Sequence, residues 1–481
     1  MKVPKTEQDY LEIIDKGLNS SKAPKKVLIV GAGMAGLVAG EILQRAGHNI
    51  TILEAQDRIG GRIYTHRESW APGLWSEFGA MRLPLHHKLT MAYVERFDLE
   101  TKPFTMDNPD TYVHMHDKKV RRRDFNPREF TFNVKSEEIG KTHDELLRLA
   151  LEPIFETLKA NDEETAWQII ADEYDNLSLR DYLEASDWSE DAIEMFGLLG
   201  NVEARMPFSF VEFAHHQIEG TFSNMVYIDG GSDRLVYAFM PLLRDHIRMG
   251  AKVFAVEQTP NNVIVHYETK GGRFREVADQ LILTIPFSVM RHIEVSPPLS
   301  SGKMRAIRQL HYDASTKIFL QCRRRFWEED EQIVGGGSIT DLPVRNVFYP
   351  DHGRETGRGV MLASYTWAAD SLRWSSLSED ERIRQAIRQV SRIHPQLTRE
   401  VEAGASWSWA DDPYSGGAFA LFLPGQLTRL QGDITRPEGR IHWAGEHTSA
   451  YGSRWITGAV ESARARRGKF TTHGYGAGVK G

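Results

Sequence analysis

Lys25-Lys26-Val27-Leu28-Ile29-Val30-Gly31-Ala32-Gly33-Met34-Ala35-Gly36 is the stretch whose reading decides the fold. Its first half is a short β-branched run, which suits a strand buried on both faces of a parallel sheet. Its second half is a Gly-x-Gly-x-x-Gly turn. A helical pattern follows from Leu37 to Ala46, with Gly47 as its C-terminal cap. A second strand, Ile50 to Leu53, ends at Glu54, roughly 20 residues past the turn. Gly31 permits the tight turn, Gly33 lets backbone approach a pyrophosphate, and Gly36 lets the helix pack close to the strand. The helix N-terminus offers free N–H groups and a positive dipole end to phosphate. The Glu54 carboxylate is placed to accept ribose hydroxyls and would repel a 2′-phosphate. Strand, turn, helix, strand and acid together predict a Rossmann-type dinucleotide site.

Outward from this unit, the chain does not continue as one Rossmann domain. Residues 141 to 225 are expected to be helical, with Leu146, Leu147, Leu151, Ile154, Phe155 and Leu158 at helical spacing and a capping arrangement at Ser178 and Asp181. Tyr227 to Gly231 leads into a helix. Val253 to Val256 and Val263 to Tyr267 read as a hairpin, and Leu281 to Pro286 as another buried strand. Strands are expected at 316–326 and 359–366, a helix at 378–394, and strand then turn over Arg440 to Glu446. A last helix is expected from Gly458 to Arg467. The basic run Lys118 to Arg123 reads as a solvated hairpin edge, and Gly335-Gly336-Gly337 as a loop.

The fold class is therefore α/β, with a nucleotide domain assembled from discontinuous segments. The expected division is an N-terminal extension at 1–24 and a nucleotide domain from 25–84, 226–300 and 436–470. A mixed α+β substrate domain takes 85–140 and 301–435, a helical insertion 141–225, and a disordered tail 471–481.

Composition narrows the function classes. The 481 residues suffice for two or three domains, and a net charge of −7 argues against a nucleic-acid or anionic-membrane partner. The single cysteine, Cys322, allows no intrachain disulfide. No Cys/His cluster has metal-ligand spacing, so no metal is expected. Met1 to Lys26 lacks a signal peptide's apolar core, and no window reaches the roughly 18 apolar residues of a membrane span. A cytoplasmic protein is expected, forming a homo-oligomer, dimer or higher.

Asp57-Arg58-Ile59-Gly60-Gly61-Arg62 extends the nucleotide signature and resembles the flavoprotein amine oxidase superfamily. There, Gly61 and Arg62 would meet the phosphate region of FAD. Gly79-Ala80-Met81-Arg82-Leu83-Pro84 is similar to the segment of L-amino-acid oxidases that sets a substrate-binding arginine beside the flavin. Ser315 to Leu320, Phe326 to Asp330, Thr340 to Pro343, Tyr349-Pro350, Trp409 to Gly417 and Gly445 to Thr448 resemble the same enzymes, over roughly residues 8 to 470.

The resemblance implies roles. Arg82 would pair bidentately with the substrate carboxylate, Tyr365 would donate to it, and Lys317 would hold a water near flavin N5. The backbone at Arg454 would accept from the substrate amine, beside Trp455. Glu446, Ile456 and Ala459 would contact ribityl and pyrophosphate groups, and Val253 the adenine. Met34, Ala35 and Ala55 belong to the phosphate and ribose turns. Covalent-flavin relatives carry a cysteine where this chain has Ala418, so FAD would be held noncovalently. His215 lies near a histidine proposed as a base in some relatives, but its surrounding motif does not match.

The implied reaction is oxidative deamination of free L-amino acids by hydride transfer to N5, with oxygen as acceptor. Its products are a 2-oxo acid, ammonia and hydrogen peroxide. Trp367, Phe419 and Trp455 would line the distal pocket, and aromatic walls favour apolar and aromatic side chains. The alternatives are a monoamine or polyamine oxidase, or a flavin-binding protein without turnover.

Overall fold

Val27, Leu28 and Ile29 are wholly buried, and the strand they form, β1 (Lys26–Val30), is flanked by neighbours on both edges. In the computed structural model, which describes residues 6–130, 132–220, 222–449 and 454–465, β1 lies in a five-stranded parallel sheet. Its order is Ile247–Arg248, β2 (Asn49–Leu53), β1, Gln280–Leu283 and Ile441–Trp443. Segments far apart in sequence thus build one sheet. Between β1 and β2 runs the helix Met34–Arg45, whose N-cap is Gly33. Gly47 follows its end with φ 83°, the left-handed conformation expected of a glycine there. The order reverses at β1, where β2 lies on one side and Gln280–Leu283 on the other, which opens a crevice at the strands' C-terminal ends.

The expected hairpin forms between Lys252–Gln258 and Val263–Thr269, and it carries a third antiparallel strand, Gly272–Ala278. That strand has no apolar alternation because most of it is exposed at a sheet edge. A seven-stranded sheet has the order Val401–Ser408, Ser315–Cys322, Gly359–Trp367, Asn346–Phe348, Gly337–Thr340, Tyr112–Met115 and Lys118–Arg121. The basic run forms its outer strand. The strand expected over 316–326 stops at Cys322. Arg324 turns outward to Glu329, Asp330 and Glu400, and Phe326–Glu329 becomes a helical turn with Phe326 and Trp327 buried.

Five helices span His143 to Ile218 around Leu151, Ile154, Phe196 and Phe210. Ser178 and Asp181 form a reciprocal capping box, each side chain accepting the other's backbone N–H. The division expected at residue 85 cuts through a packed core: Leu89, Tyr93 and Val94 of the helix Lys88–Arg96 pack with Ile29 and Leu37. Leu83–Pro84 pairs with the strand Met225–Ile228, which also pairs with Thr101–Pro103. Within the segment expected as an N-terminal extension, Glu7–Lys16 is a helix that buries Ile14 in that core. The tail at 471–481 lies outside the described residues. Among the described residues no helix is long and apolar enough to cross a membrane.

The last two glycines of the fingerprint are constrained differently. A Cβ on Gly36 would sit 1.9 Å from the Gly31 carbonyl oxygen, whereas a Cβ on Gly33 meets no atom within 4 Å and points into the crevice. Gly36→Ala should therefore destabilise the fold itself, by about 2 kcal/mol or more. Gly33→Ala should keep the melting temperature of cofactor-free protein and lose bound nucleotide cofactor. Thermal melts and cofactor absorbance after gel filtration separate the two. Equal melting temperatures for the cofactor-free variants would refute the assignment.

Candidate active site

The crevice widens into one continuous cavity of about 1160 Å3. Gly31, Gly33, Met34, Ala35, Glu54, Ala55, Gly61 and Arg62 line its nucleotide end. Val253 lines that end too, its segment joined to Glu54 through the Ala251 N–H; Gly79, Ala80, Met81, Glu446, Ile456 and Ala459 line the cavity further along, and Arg82, Lys317, Tyr365, Trp367, Phe419, Arg454 and Trp455 line the rest. Of the residues expected to bind cofactor or substrate, Gly36 alone is off this wall; it packs against the Gly31 carbonyl.

At the nucleotide end, Glu54 Oε2 accepts the Ala32 N–H at 2.7 Å and Oε1 the Gln56 N–H at 2.9 Å. These bonds fix the carboxylate at the end of β2, and burial raises its pKa. Arg62 Nη1 donates to Glu446 Oε1 at 2.7 Å and to the Ala418 carbonyl at 3.2 Å. Glu446 also accepts the backbone N–H groups of Ala420 and Arg454. One carboxylate thus joins three chain segments around the cavity.

At the far end, Lys317 and Tyr365 are cross-strand partners on Ser315–Cys322 and Gly359–Trp367. Lys317 is 2% exposed. Its Nζ donates to the Glu77 carbonyl at 2.9 Å and the Gly79 carbonyl at 2.6 Å. Burial pulls the Lys317 pKa down and pushes that of the buried Glu77 carboxyl up. Tyr365 and Trp367 share one strand face, with ring centroids 4.4 Å apart, and Trp367 lies 5.3 Å from Phe419. Burial pushes the Tyr365 hydroxyl up to about 12, so it stays a neutral donor.

Arg82 precedes the short strand Leu83–Pro84. Its guanidinium carbon lies 5.5 Å from the Phe104 ring centroid and 5.7 Å from that of Phe348. Its Nη1 is buried without a hydrogen-bond partner. Five other arginines on this cavity face a carboxylate: Arg62 faces Glu446, Arg122 faces Asp107, Arg123 faces Asp110, Arg205 faces Asp313 and Arg454 faces Glu212. Among the described residues Arg82 has none. A buried guanidinium without a counter-ion is costly unless a ligand supplies the anion.

A profile of the family described as flavin containing amine oxidoreductase matches residues 34–466. The chain belongs to that family. It is 40% identical over 463 residues to YobN of Bacillus subtilis (strain 168), which covers 94% of this chain and 96% of that one. It is 36% identical to the L-amino-acid oxidase of Siganus canaliculatus over 95% of this chain and 88% of that one. The fold matches wild-type putrescine oxidase bound to putrescine, with a TM-score of 0.75 and 21% identity, over 93% and 99% of the two chains. As a flavin amine oxidoreductase, the chain has a wall that suits the cofactor: a glycine turn open to the crevice, a helix N-terminus and a buried acid at the end of β2.

The sequence reading missed several residues of this flavoprotein's cavity. His216, rather than His215, lines it, and Arg454 Nε lies 2.9 Å from His216 Nε2. His215 instead packs on Trp167 and faces Glu219, because neighbouring helical positions point about 100° apart. Arg205 sits in a single helical turn, Glu203–Arg205, that carries no periodicity. Removing the Glu446 carboxylate should destabilise the fold by about 2 kcal/mol or more, because Arg62 and two N–H groups lose their acceptor. Glu446→Ala should melt earlier and release flavin during gel filtration. Unchanged flavin retention would show that Glu446 does not organise the site.

Proposed function

We propose that this chain is a FAD-dependent oxidase of free L-amino acids that uses oxygen as acceptor. The observation that carries the reading is the buried Arg82 Nη1 without a partner, facing the same cavity as Tyr365. Guanidinium binds a carboxylate through two parallel hydrogen bonds. An amine substrate offers no anion there. The L-amino-acid oxidase named among the relatives supports the same choice.

Arg82 and Tyr365 hold the α-carboxylate. Lys317 spends two of its N–H donors on backbone carbonyls, which leaves a third for a water at the cavity wall. Its two bonds also fix the segment that carries Arg82. The backbone at Arg454 accepts from the substrate amine. An ammonium is disfavoured in this buried site, so the amine binds neutral with its lone pair free. Trp367, Phe419 and Trp455 exclude water and receive apolar or aromatic side chains. Bound FAD supplies two-electron oxidation of the Cα–N bond and reoxidation by oxygen to hydrogen peroxide; the released imino acid hydrolyses to a 2-oxo acid and ammonia.

Glu54 keeps acceptor capacity for the ribose hydroxyls, and Gly33 leaves room for the pyrophosphate. The binding is noncovalent. Ala418 has no thiol, and Cys322 is buried in the strand Ser315–Cys322, its pKa pushed up to about 12 by burial. Acid precipitation should release the flavin as intact FAD, and flavin retained on the pellet would refute noncovalent binding.

Peroxide release should be seen with L-phenylalanine, L-leucine and L-methionine and should be far weaker with putrescine or benzylamine. Arg82→Met should lower kcat/KM for L-phenylalanine by about 100-fold or more, some 3 kcal/mol, with FAD content retained. Faster turnover of the amines, or unchanged kinetics in Arg82→Met, would overturn the reading.

A further inference from the structure

Arg205 stands where the sequence places only aromatic walls. Its guanidinium carbon lies 4.1 Å from the Trp367 ring centroid and 5.3 Å from that of Phe419. Its Nε donates to Asp313 Oδ2 at 3.3 Å. Asp313 is fully buried, and its other oxygen has no hydrogen-bond partner. The Arg205 side chain is 19% exposed and lines the same cavity as Arg82 and Tyr365. Among the described residues its Nη1 and Nη2 make no hydrogen bond.

These contacts order the groups in space. Arg82 and Arg205 both bear electrostatically on the Tyr365 hydroxyl. From Tyr365 the wall runs to Trp367, 4.4 Å away, and from Trp367 to the stacked face of Arg205. A substrate held by its carboxylate at Arg82 and Tyr365 would lay its side chain along Trp367, towards the two free nitrogens. Stacking on two rings and the Asp313 contact hold the guanidinium plane in place. A pre-oriented donor pair discriminates by hydrogen bonding, since a ligand without an acceptor leaves the donors unpaired.

We infer that Arg205 is a specificity-determining residue whose Nη1 and Nη2 receive the terminal carbonyl oxygen of a substrate side chain, as in a carboxamide or a carboxylate. Asp313 offsets much of the arginine's charge, so the carboxamide is favoured over the carboxylate. A side-chain ammonium is excluded, because its nearest polar neighbour would be a cation. The inference rests on the amino-acid oxidase reading and extends its apolar pocket by one polar subsite.

The test is the ratio of kcat/KM for L-glutamine to that for L-norleucine, an unbranched side chain without the carbonyl, measured with FAD-loaded enzyme. L-glutamate is the charged arm. In the wild type, L-glutamine should fall within about tenfold of L-norleucine, although desolvating an amide in a purely apolar pocket would cost more. Arg205→Leu should lower the ratio fivefold or more, whatever the absolute rates, and Arg205→Lys should restore part of it. L-glutamate exceeding L-glutamine would identify the carboxylate as the better source of the carbonyl oxygen. A smaller change in Arg205→Leu would overturn the subsite. If that variant fails to fold, a wild-type ratio below one-tenth overturns it alone. If Arg82→Met loses activity while the ratio ignores Arg205, the subsite fails and the oxidase reading stands. No peroxide from any amino acid would overturn both.

Discussion

Lys317 Nζ donates to the carbonyls of Glu77 and Gly79, and through these two bonds the seven-stranded sheet grips the segment that ends in Arg82. The partners are 240 and 238 residues apart in sequence. A buried ammonium costs several kcal/mol unless its hydrogens are bonded, so the lysine and the two carbonyls hold each other in place. The nearby buried Glu77 carboxyl takes the Ser232 N–H and the Thr65 hydroxyl. The end of the cavity lined by Arg82 and Tyr365 inherits its geometry from this clamp, because Tyr365 is the cross-strand neighbour of Lys317.

Charge is distributed unevenly around the cavity. Arg62, Arg205 and Arg454 are each turned to a carboxylate of the chain, and Arg82 is surrounded by Phe104, Phe222 and Phe348 instead. Ring faces stabilise a cation weakly compared with an anion in the same place. At the end of the cavity away from the glycine turn, Arg82 is thus the arginine whose counter-ion the described residues do not supply. The charges of Arg62, Arg205 and Arg454 are instead offset by carboxylates of the chain.

The nucleotide half was legible because its instructions are local. Gly33 faces the open crevice, Gly36 answers to the Gly31 carbonyl a few residues before it, and the capping box at Ser178 is complete in four residues. Buried strands were legible where both faces are covered, as at Val27 to Val30. Reading failed at edges and turns. Gly272–Ala278 is paired on one side and mostly exposed, so backbone pairing rather than an apolar pattern makes it a strand. Arg323 and Arg324, just past the end of the strand at Cys322, pair with Glu400, which no periodicity connects to them.

The sequence alone determined the dinucleotide turn, the helical insertion and, by resemblance, which side chains gather at the site; these follow from short-range spacing and from motifs that survive as text. Tertiary structure alone decided the sheet order drawn from five distant segments, the turning of His216 rather than His215 to the cavity, and the Arg205–Asp313 pair across 108 residues. The physical reason is the range of the interaction. Backbone propensity and amphipathic period act over one or two turns of chain, whereas the partner of a buried charge is chosen by whatever the fold brings within about 3 Å.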